Sequence, residues 1–505
     1  MPPPSTEDLL DPRLPTVRTE NGDLAAVLTG IDPAGLILAL GHRVGDTRTL
    51  TGRLDDLGLS GSDIVAAHEP QATAGALCGI PLVPQAAPAR HLALVGLGEG
   101  TGEQLRAAGA ALGRHGRGRE RVVLDLGSEC ADDAVAAFVE GFQLGAWAPP
   151  RWTGAGTVAG GDVPAELVLV GVSTPRPALE ARSRCVAVVR ARSLATTPSN
   201  IKNPAWLARQ ARTLAGRTGL SITVRQERQL RQEGFGGLLA VGGGSATPPR
   251  LVTLTWTPPE ADSTTPHVVL VGKGITFDTG GLAIKPAEGM LTMKTDMSGA
   301  AVVLAVLSVC RELAVPVQVT GLLPLSENAV SGAAYRPGDV VVHYGGRTTE
   351  IGNTDAEGRI VLADALAHAD LDLDPDWLVD VATLTGAARV ALGRAAAPVY
   401  GTDPALVAAL VDAGEASGET LWPMPLPASY RPFLDSDVAD VKQVVEGGPG
   451  SVMAAMFLQQ FIGTRRWAHL DIAGPGRSDV DAGILHKGAT AFGTRLLLRW
   501  LEGLS

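Results

Sequence analysis

Residues 267–286 read HVVLVGKGITFDTGGLAIKP, an apolar run that is followed at once by charged residues and glycines. The first six residues, HVVLVG, predict a buried β-strand. Lys273 and Asp278 come directly after it, and the two glycines that follow Thr279 allow the backbone to turn tightly. Because α/β proteins bind their ligands at the carboxyl ends of parallel strands, this segment is a candidate functional site.

The rest of the C-terminal half continues the alternation of strands and helices. Apolar runs predict further strands at Val317–Leu323, Trp377–Leu384 and Trp467–Ile472. Helical segments are predicted between them, at Gly299–Leu313, Ile360–Ala369, Pro404–Ala413 and Met453–Ile462. Apolar strands joined by helices indicate a mostly parallel central sheet that is covered by helices on both faces.

The N-terminal half shows a similar alternation, with strands predicted at Leu36–Leu40, His91–Gly96, Val122–Leu126 and Leu167–Val172. We therefore predict an α/β fold with two domains, because 505 residues exceed the usual size of one. The predicted division is a flexible N-terminus at 1–20, a smaller N-terminal α/β domain at 21–170, a linker near 148–180, and a larger catalytic domain at 181–505.

Composition argues against several classes of protein. The net charge is −11, and residues 1–150 contain eleven Arg, no Lys and nineteen acidic residues, which disfavours a nucleic-acid or anionic-membrane partner. The longest apolar stretch, residues 300–310, is shorter than the roughly 20 residues of a membrane-spanning helix. The four cysteines are far apart and form no CxxC pair, so we expect a soluble protein in the reducing cytoplasm.

Lysine is scarce in this chain, and its distribution points to the same segment. Only six of the 42 basic residues are Lys, and three of them, Lys273, Lys285 and Lys294, fall close together. A lysine amine can lose its proton, whereas a guanidinium effectively cannot. Each residue also has a simpler interpretation, because the lysines could be surface charges and Asp296 could cap the helix that follows.

A second polar motif, Asn353-Thr-Asp355-Ala-Glu357-Gly-Arg359, precedes the predicted helix Ile360–Ala369. Side chains at alternate positions of an extended segment point the same way, so its two acids and its arginine can face one cavity. The alternative is a charged helix N-terminus, where acidic side chains complement the helix dipole.

Together with Asp296, the two motifs supply four carboxylates, namely Asp278, Asp296, Asp355 and Glu357, which would repel one another severely if buried without compensation. Lys273, Lys285 and Arg359 offset part of that charge, and a pair of divalent cations would offset the rest. Oxygen-rich ligation suits Mn²⁺ or Mg²⁺, and Zn²⁺ is also compatible. An amine binds a metal only after losing its proton, which would explain a lysine at position 273.

Four segments, VGKGITFDTGGLAIKP, MLTMKTDMSGAA, GNTDAEGR and VATLTGA, resemble the signatures of the leucyl aminopeptidase (cytosol aminopeptidase) family. The similarity extends from about Ser199 to WAHLDIAG near residue 474. The resemblance implies that Lys273, Asp278, Asp296 and Glu357 bind one metal ion, and that Asp278, Asp355 and Glu357 bind the second. It further implies two Mn²⁺ or Zn²⁺ ions per subunit.

The same resemblance assigns roles to other residues. Lys285 corresponds to the catalytic lysine, and Arg359 to the arginine that holds a bicarbonate acting as general base. Substrate contacts are implied for Met293, Asn353, Ala356, Thr383 and Leu384.

The implied activity is metal-dependent hydrolysis of the N-terminal peptide bond, releasing Leu-like and other neutral amino acids in a homohexamer. A dipeptidase of the cysteinylglycinase kind fits the same motifs. A nucleic-acid-binding regulator and a catalytically inactive scaffold are the rivals from other classes. The acidic N-terminal half argues against the regulator, and the complete set of implied ligands argues against the scaffold.

Overall fold

The computed structural model describes residues 9–22, 24–28, 35–82, 89–127, 130–153, 156–158 and 163–504. The chain divides into two compact units. The N-terminal unit extends to Val189 and includes Val480–His486, whereas the C-terminal unit contains Arg190–Asp479 and the chain from Lys487 onward. Among the described residues, none of the helices combines the length and the apolar character that crossing a bilayer requires.

The described strands of the N-terminal unit are β1 Thr16–Glu20, β2 Leu36–His42, β3 Leu77–Pro81, β4 His91–Gly96, β5 Arg121–Asp125, β6 Arg151–Thr153, β7 Gly156–Val158 and β8 Glu166–Val170. Six of them form one sheet in the order β1-β8-β5-β2-β4-β3, in which only the β3–β4 pair is antiparallel. Strands β6 and β7 form a separate antiparallel hairpin.

The described helices of this unit are α1 Leu24–Leu28, α2 Thr47–Asp56, α3 Gly61–His68, α4 Gly102–His115, α5 Asp132–Ala146 and α6 Arg176–Thr196. Successive residues of β2 point to opposite faces of the sheet. Ile37 and Ala39 therefore pack in one apolar cluster with Leu105 of α4, and Leu36 and Leu38 pack in another with Leu50 of α2.

Two details differ from the predicted domain limits. The unit boundary at Val189 lies inside helix α6, beyond the predicted linker near 148–180. Residues 9–20 were predicted to be flexible, but Leu9 and Leu10 are buried and β1 pairs in parallel with β8. Residues 1–8 of that predicted terminus lie outside the described residues.

The strands of the C-terminal unit are β9 Ser221–Arg225, β10 Arg250–Trp256, β11 His267–Gly272, β12 Gly274–Asp278, β13 Gln318–Asn328, β14 Val340–Val342, β15 Thr348–Glu350, β16 Trp377–Ala382, β17 Ala397–Gly401, β18 Leu421–Pro423, β19 Val441–Lys442, β20 Arg466–Asp471, β21 Arg477–Ser478 and β22 Gly488–Ala489. The central sheet has the order β18-β17-β20-β16-β11-β13-β10-β9, and β12 also pairs with β13. Its middle strands β20, β16, β11 and β13 are parallel.

The helices of this unit, after α6, are α7 Pro204–Thr218, α8 Glu227–Glu233, α9 Gly236–Gly242, α10 Ala287–Met290, α11 Ser298–Leu307, α12 Glu357–His368, α13 Gly386–Leu392, α14 Pro404–Ser417, α15 Gly450–Leu458 and α16 Thr494–Glu502. Every residue of α11 and of α12 is buried. Val269 and Val271 of β11 pack in one apolar cluster with residues of α12 and α15. The two-domain α/β architecture with a mostly parallel C-terminal sheet is confirmed.

Candidate metal centre

The first site residues follow the carboxyl end of β11. The backbone of Lys273 bridges two elements, because its N–H donates to Val381 O of β16 and its carbonyl accepts from Ala300 N of α11. Strand β12 then carries the chain to Asp278, whose Oδ1 accepts hydrogen bonds from Asn328 Nδ2 at 2.9 Å and from Gly280 N at 2.8 Å. These bonds fix the carboxylate of Asp278 at the end of the sheet.

Lys273 lies at the centre of one half of the site. Its side chain is only 3% exposed, and Nζ is 2.9 Å from Asp296 Oδ2, 2.9 Å from Glu357 Oε1 and 2.9 Å from the carbonyl oxygen of Thr383, to which it donates. The Thr383 hydroxyl donates to Asp296 Oδ1 at 2.7 Å. Helix α11 begins at Ser298 with Met297 at its N-cap, so Asp296 is not the cap of this helix.

Lys285 lies at the centre of the other half. Its Nζ is 2.8 Å from Asp278 Oδ2 and 2.5 Å from Asp355 Oδ1, and its side chain is 17% exposed. Neither Lys273 nor Lys285 is therefore a surface charge. Each ammonium lies between two carboxylates that come from different segments of the chain.

The second motif enters the site at the start of helix α12. Glu357 is the first residue of the helix, and the next residue is Gly358. A Cβ atom at position 358 would lie 2.5 Å from Lys273 Cε and 2.7 Å from Nζ. A side chain at position 358 would therefore have to displace the end of the Lys273 side chain.

Burial dominates the protonation of the acidic groups. It raises the pKa of Asp296 to about 6 and that of Glu357 to about 8, although Lys273 lowers both. Burial also raises the pKa of Asp355, against the opposing effect of Lys285. For Lys273 burial acts to lower the pKa, but the surrounding carboxylates outweigh it and raise the pKa above its usual range. Four carboxyl groups therefore share the centre with two lysines, and burial favours protonation of Asp296, Asp355 and Glu357.

A cavity of about 500 Å³ brings most of the predicted site residues together. Its walls include Lys273, Asp278, Lys285, Met293, Asp296, Asp355, Glu357, Thr383 and Leu384. Among the described residues, three predicted ones are not in these walls: Asn353, Ala356 and Arg359.

These three residues are instead linked by Gln443, which no sequence motif indicates. Its side chain accepts from Asn353 N at 3.0 Å and donates to Ala356 O at 3.0 Å, and its carbonyl accepts from Arg359 Nη1 at 2.8 Å. Arg359 is buried, and burial lowers the pKa of its guanidinium to about 10. Its Nε has no hydrogen-bond partner among the described residues.

Asp471 is a further positioning residue, at the end of β20. Its carboxylate accepts from Leu384 N at 3.1 Å and from the Thr385 hydroxyl at 2.6 Å. It thereby holds the loop that follows β16 at the wall of the cavity. Its place at the end of a buried strand was the available signal, because β16 and β20 are neighbours in the sheet.

The donor set fits divalent metal ions. One carboxylate oxygen from each of Asp278, Asp355 and Glu357 lies within 4.8 Å of the others. Glu357 Oε2 is buried and has no hydrogen-bond partner among the described residues, so it can accept a further ligand bond. Carboxylate oxygens are ligands that suit Mn²⁺, Mg²⁺ and Zn²⁺.

Cavity size alone does not single out this site. A larger cavity of about 610 Å³ lies at the carboxyl ends of β2 and β5 in the N-terminal unit. Arg53 there is paired with Asp125 at 2.8 Å and donates to Gly41 O at 2.7 Å, so its charge and donors are used within the fold. The group of buried carboxylates distinguishes the C-terminal cavity.

The chain is similar to known proteins along most of its length. Residues 189–498 match the catalytic-domain model of the cytosol aminopeptidase family, and residues 45–151 match its N-terminal-domain model. A probable cytosol aminopeptidase of Leifsonia xyli subsp. xyli is 46% identical over 431 residues, covering 82% of this chain and 85% of the relative. One of Rhodococcus jostii is 39% identical over 518 aligned residues, covering 98% of each.

Solved structures show the same similarity. The bottromycin maturation enzyme BotP in complex with Mn has a TM-score of 0.81 and 36% identity, covering 93% of this chain and 99% of that one. A mutant of tomato leucine aminopeptidase has a TM-score of 0.83 and 29% identity, and the match covers 97% of this chain and 96% of that one. This chain therefore belongs to the cytosol aminopeptidase family, as its motifs predicted, and is a metal-dependent hydrolase of the leucyl aminopeptidase type.

Proposed function

We propose that this protein removes the N-terminal residue of peptides with two divalent metal ions, Mn²⁺ or Zn²⁺, held in the C-terminal cavity. Lys273, Asp278, Asp296 and Glu357 would bind one ion, and Asp278, Asp355 and Glu357 the other. The close approach of three carboxylates in a buried, negatively charged centre is the observation that chiefly supports this assignment.

A pair of divalent ions in such a site supplies an activated water molecule and polarises the scissile carbonyl. Lys285 is the protein cation at the same place, and its ammonium would stabilise the negative charge that develops on the substrate oxygen. Its separation of 2.8 Å from Asp278 and 2.5 Å from Asp355 keeps that ammonium oriented. Lys273 would act as a ligand only after losing its proton.

Arg359 would hold a bicarbonate ion, which would supply a general base to the reaction. Its buried Nε, which has no hydrogen-bond partner among the described residues, supports an anion at this position. The carbonyl of Gln443 fixes the other arm of the guanidinium.

The remaining contacts would position the peptide. Thr383 and Leu384 would orient its backbone from the loop that Asp471 holds, and Met293 would contact the side chain of the first residue. Asn353 and Ala356 would contact the leaving-group side. The preferred first residue would be Leu-like or another neutral residue, and a dipeptidase activity of the cysteinylglycinase kind is the second candidate.

We also propose a homohexamer in the cytoplasm that binds peptides and has no nucleic-acid partner. The acidic balance of the N-terminal half supports the last point, because phosphate contacts need clustered basic residues.

Hydrolysis of Leu-p-nitroanilide, compared with its N-acetyl derivative, tests the aminopeptidase assignment. The Mn²⁺-loaded protein should cleave the free amine substrate and leave the acetylated one intact. Equal cleavage of the two, or cleavage inside a longer blocked peptide, would contradict an exopeptidase. Failure to cleave any N-terminally free substrate would contradict the function altogether.

A further inference from the structure

Three arginines line the cavity of the metal centre and take no part in the mechanism proposed for it. They are Arg389 on α13, Arg394 in the segment after α13, and Arg477 in β21. The chain as a whole is acidic, so three guanidinium groups in one wall stand out from its composition.

Two of the arginines are fixed by one shared carboxylate. Asp479 Oδ2 is 2.8 Å from Arg394 Nε, and its Oδ1 is 2.6 Å from Arg477 Nη1. Arg394 also donates to the carbonyl oxygens of Gly474 at 3.3 Å and Arg477 at 3.1 Å. The wall is therefore held in place, and one carboxylate neutralises only one of the two guanidinium charges.

Arg389 adds positive charge that the protein does not neutralise locally. Its side chain is exposed in the cavity wall, and among the described residues its guanidinium has neither a hydrogen-bond nor an ion-pair partner. Glu288 is the acidic residue of the wall outside the metal centre, and a single carboxylate leaves the arginines in excess.

Arg389, Arg394 and Arg477 together form the arginine wall of the cavity. This wall adjoins the half of the site that contains Asp296. An added Cβ on Gly476 would lie 3.5 Å from Thr383 Cγ2, and Thr383 in turn donates its hydroxyl to Asp296 Oδ1. Met293, which would contact the first side chain of the peptide, lines the same cavity. A group bound by the arginines would therefore share one cavity with the carboxylates and lysines of the metal centre.

We propose that Arg389, together with Arg394 and Arg477, forms a subsite for a carboxylate of the peptide substrate. The inference rests on the proposed function, because it concerns the substrate of that same cavity. A guanidinium matches a carboxylate with two parallel hydrogen bonds, and Arg389 has all of its donors available among the described residues. Peptides with a carboxylate near the N-terminus are therefore preferred over neutral isosteres.

The carboxylate can come from two places in a short peptide. It is either the side chain of an acidic first residue or the C-terminal carboxylate of a dipeptide. Glu-p-nitroanilide compared with Gln-p-nitroanilide isolates the first source, and Leu-Gly compared with Leu-Gly-amide isolates the second.

The test measures kcat/KM for both pairs with the Mn²⁺-loaded wild type, Arg389→Gln and a control, Arg231→Gln, whose arginine is exposed on α8 and outside the cavity. At least one charged substrate should exceed its neutral partner by about five- to tenfold in the wild type. Arg389→Gln should remove that preference and change kcat/KM for the neutral substrates less than twofold. Added salt should weaken the preference of the wild type for the charged substrate. The control should behave as wild type.

Calorimetric binding of glutamate, glutamine, Leu-Gly and Leu-Gly-amide separates this inference from the proposed function, because binding needs no turnover. Stronger binding of a charged compound that Arg389→Gln removes would support the subsite even if no substrate were cleaved. Equal kcat/KM and equal binding within both pairs would overturn the inference. It would also be overturned if Arg389→Gln lowered kcat/KM and affinity equally for charged and neutral compounds.

Discussion

Lys285 is the residue whose charge is most directly tied to the proposed chemistry. It lies between Asp278 and Asp355 and lines the cavity, whereas Lys273 is enclosed by carboxylates on the other side. Lys285→Ala should leave both sets of carboxylate ligands in place and lower kcat by about 10²- to 10³-fold, because a fixed cation at the developing charge is lost.

The measurement is kcat for Leu-p-nitroanilide together with the metal content of the purified variant. Lys442→Ala, in strand β19, serves as the matched control. An unchanged kcat would contradict the role of Lys285, and loss of both metal ions would indicate a structural role instead.

Gly358 allows helix α12 and Lys273 to approach closely. Gly358→Ala would place a Cβ atom 2.5 Å from Lys273 Cε, and three partners prevent Nζ from moving away without loss. We expect kcat/KM to fall by about 10²-fold, because a small displacement at a reacting centre is costly.

Gly216→Ala in helix α7 is the control, because nothing lies within 4 Å of the added atom. In an open helical position Ala is favoured over Gly by about 1 kcal/mol, so this variant should keep its activity and its melting temperature should not fall. Full activity of Gly358→Ala would show that the approach to Lys273 is not needed.

Strands β16 and β20 carry a buried pair of one carboxylate and one imidazole. Asp380 and His469 are opposite each other in the register, and His469 Nδ1 is 2.6 Å from Asp380 Oδ1. Burial acts to lower the pKa of His469, but Asp380 outweighs it and raises the pKa above the ordinary 6.5. The stabilisation is therefore complete below about pH 6.5 and is lost as the pH rises through the folded-state pKa.

His469→Gln should therefore lower the melting temperature more at pH 6 than at pH 9. His267→Gln is the control. Burial lowers the pKa of His267 below the ordinary 6.5, so its imidazole is neutral between pH 7 and pH 9. The melting-temperature deficit of the control should be constant between pH 7 and pH 9. A deficit for His469→Gln that does not change between pH 6 and pH 9 would contradict a charged pair.

Apolar periodicity predicts elements well where they are buried on both faces. HVVLVG is strand β11 as predicted, and the predicted helix Gly299–Leu313 is present as α11, although its regular part ends at Leu307. Residues 16–20 could not be recognised as a strand, because the sequence TVRTE lacks an apolar run and becomes ordered through pairing with β8. Local pattern cannot anticipate such a partner 150 residues away.

The dependence on partners that are distant in sequence also limits what could be predicted of the site. Two motifs contain the charged residues, and the structure brings their carboxylates and lysines together. The roles of Gln443 and Asp471 depend on contacts with segments nearly 90 residues away. The place of Asp471 at the end of a buried strand is a local signal, whereas nothing in the neighbourhood of Gln443 indicates its role.

At the scale of the whole molecule, we expect six chains to assemble. Each chain has a mass of 52.0 kDa. Light scattering during gel filtration should give about six times that mass. A monomeric or dimeric mass for the active enzyme would contradict the hexamer and leave the chemistry of the single chain unaffected.

The proposed mechanism depends on two metal ions in each chain, and binding of Mn²⁺ to metal-stripped protein measures their number. Calorimetry and metal analysis should give two ions per chain, and Leu-p-nitroanilide hydrolysis should return as they bind. The folded double variant Asp355→Ala, Glu357→Ala should bind fewer ions and stay inactive. Wild-type protein that is fully active without metal, or that binds no divalent ion, would contradict the account.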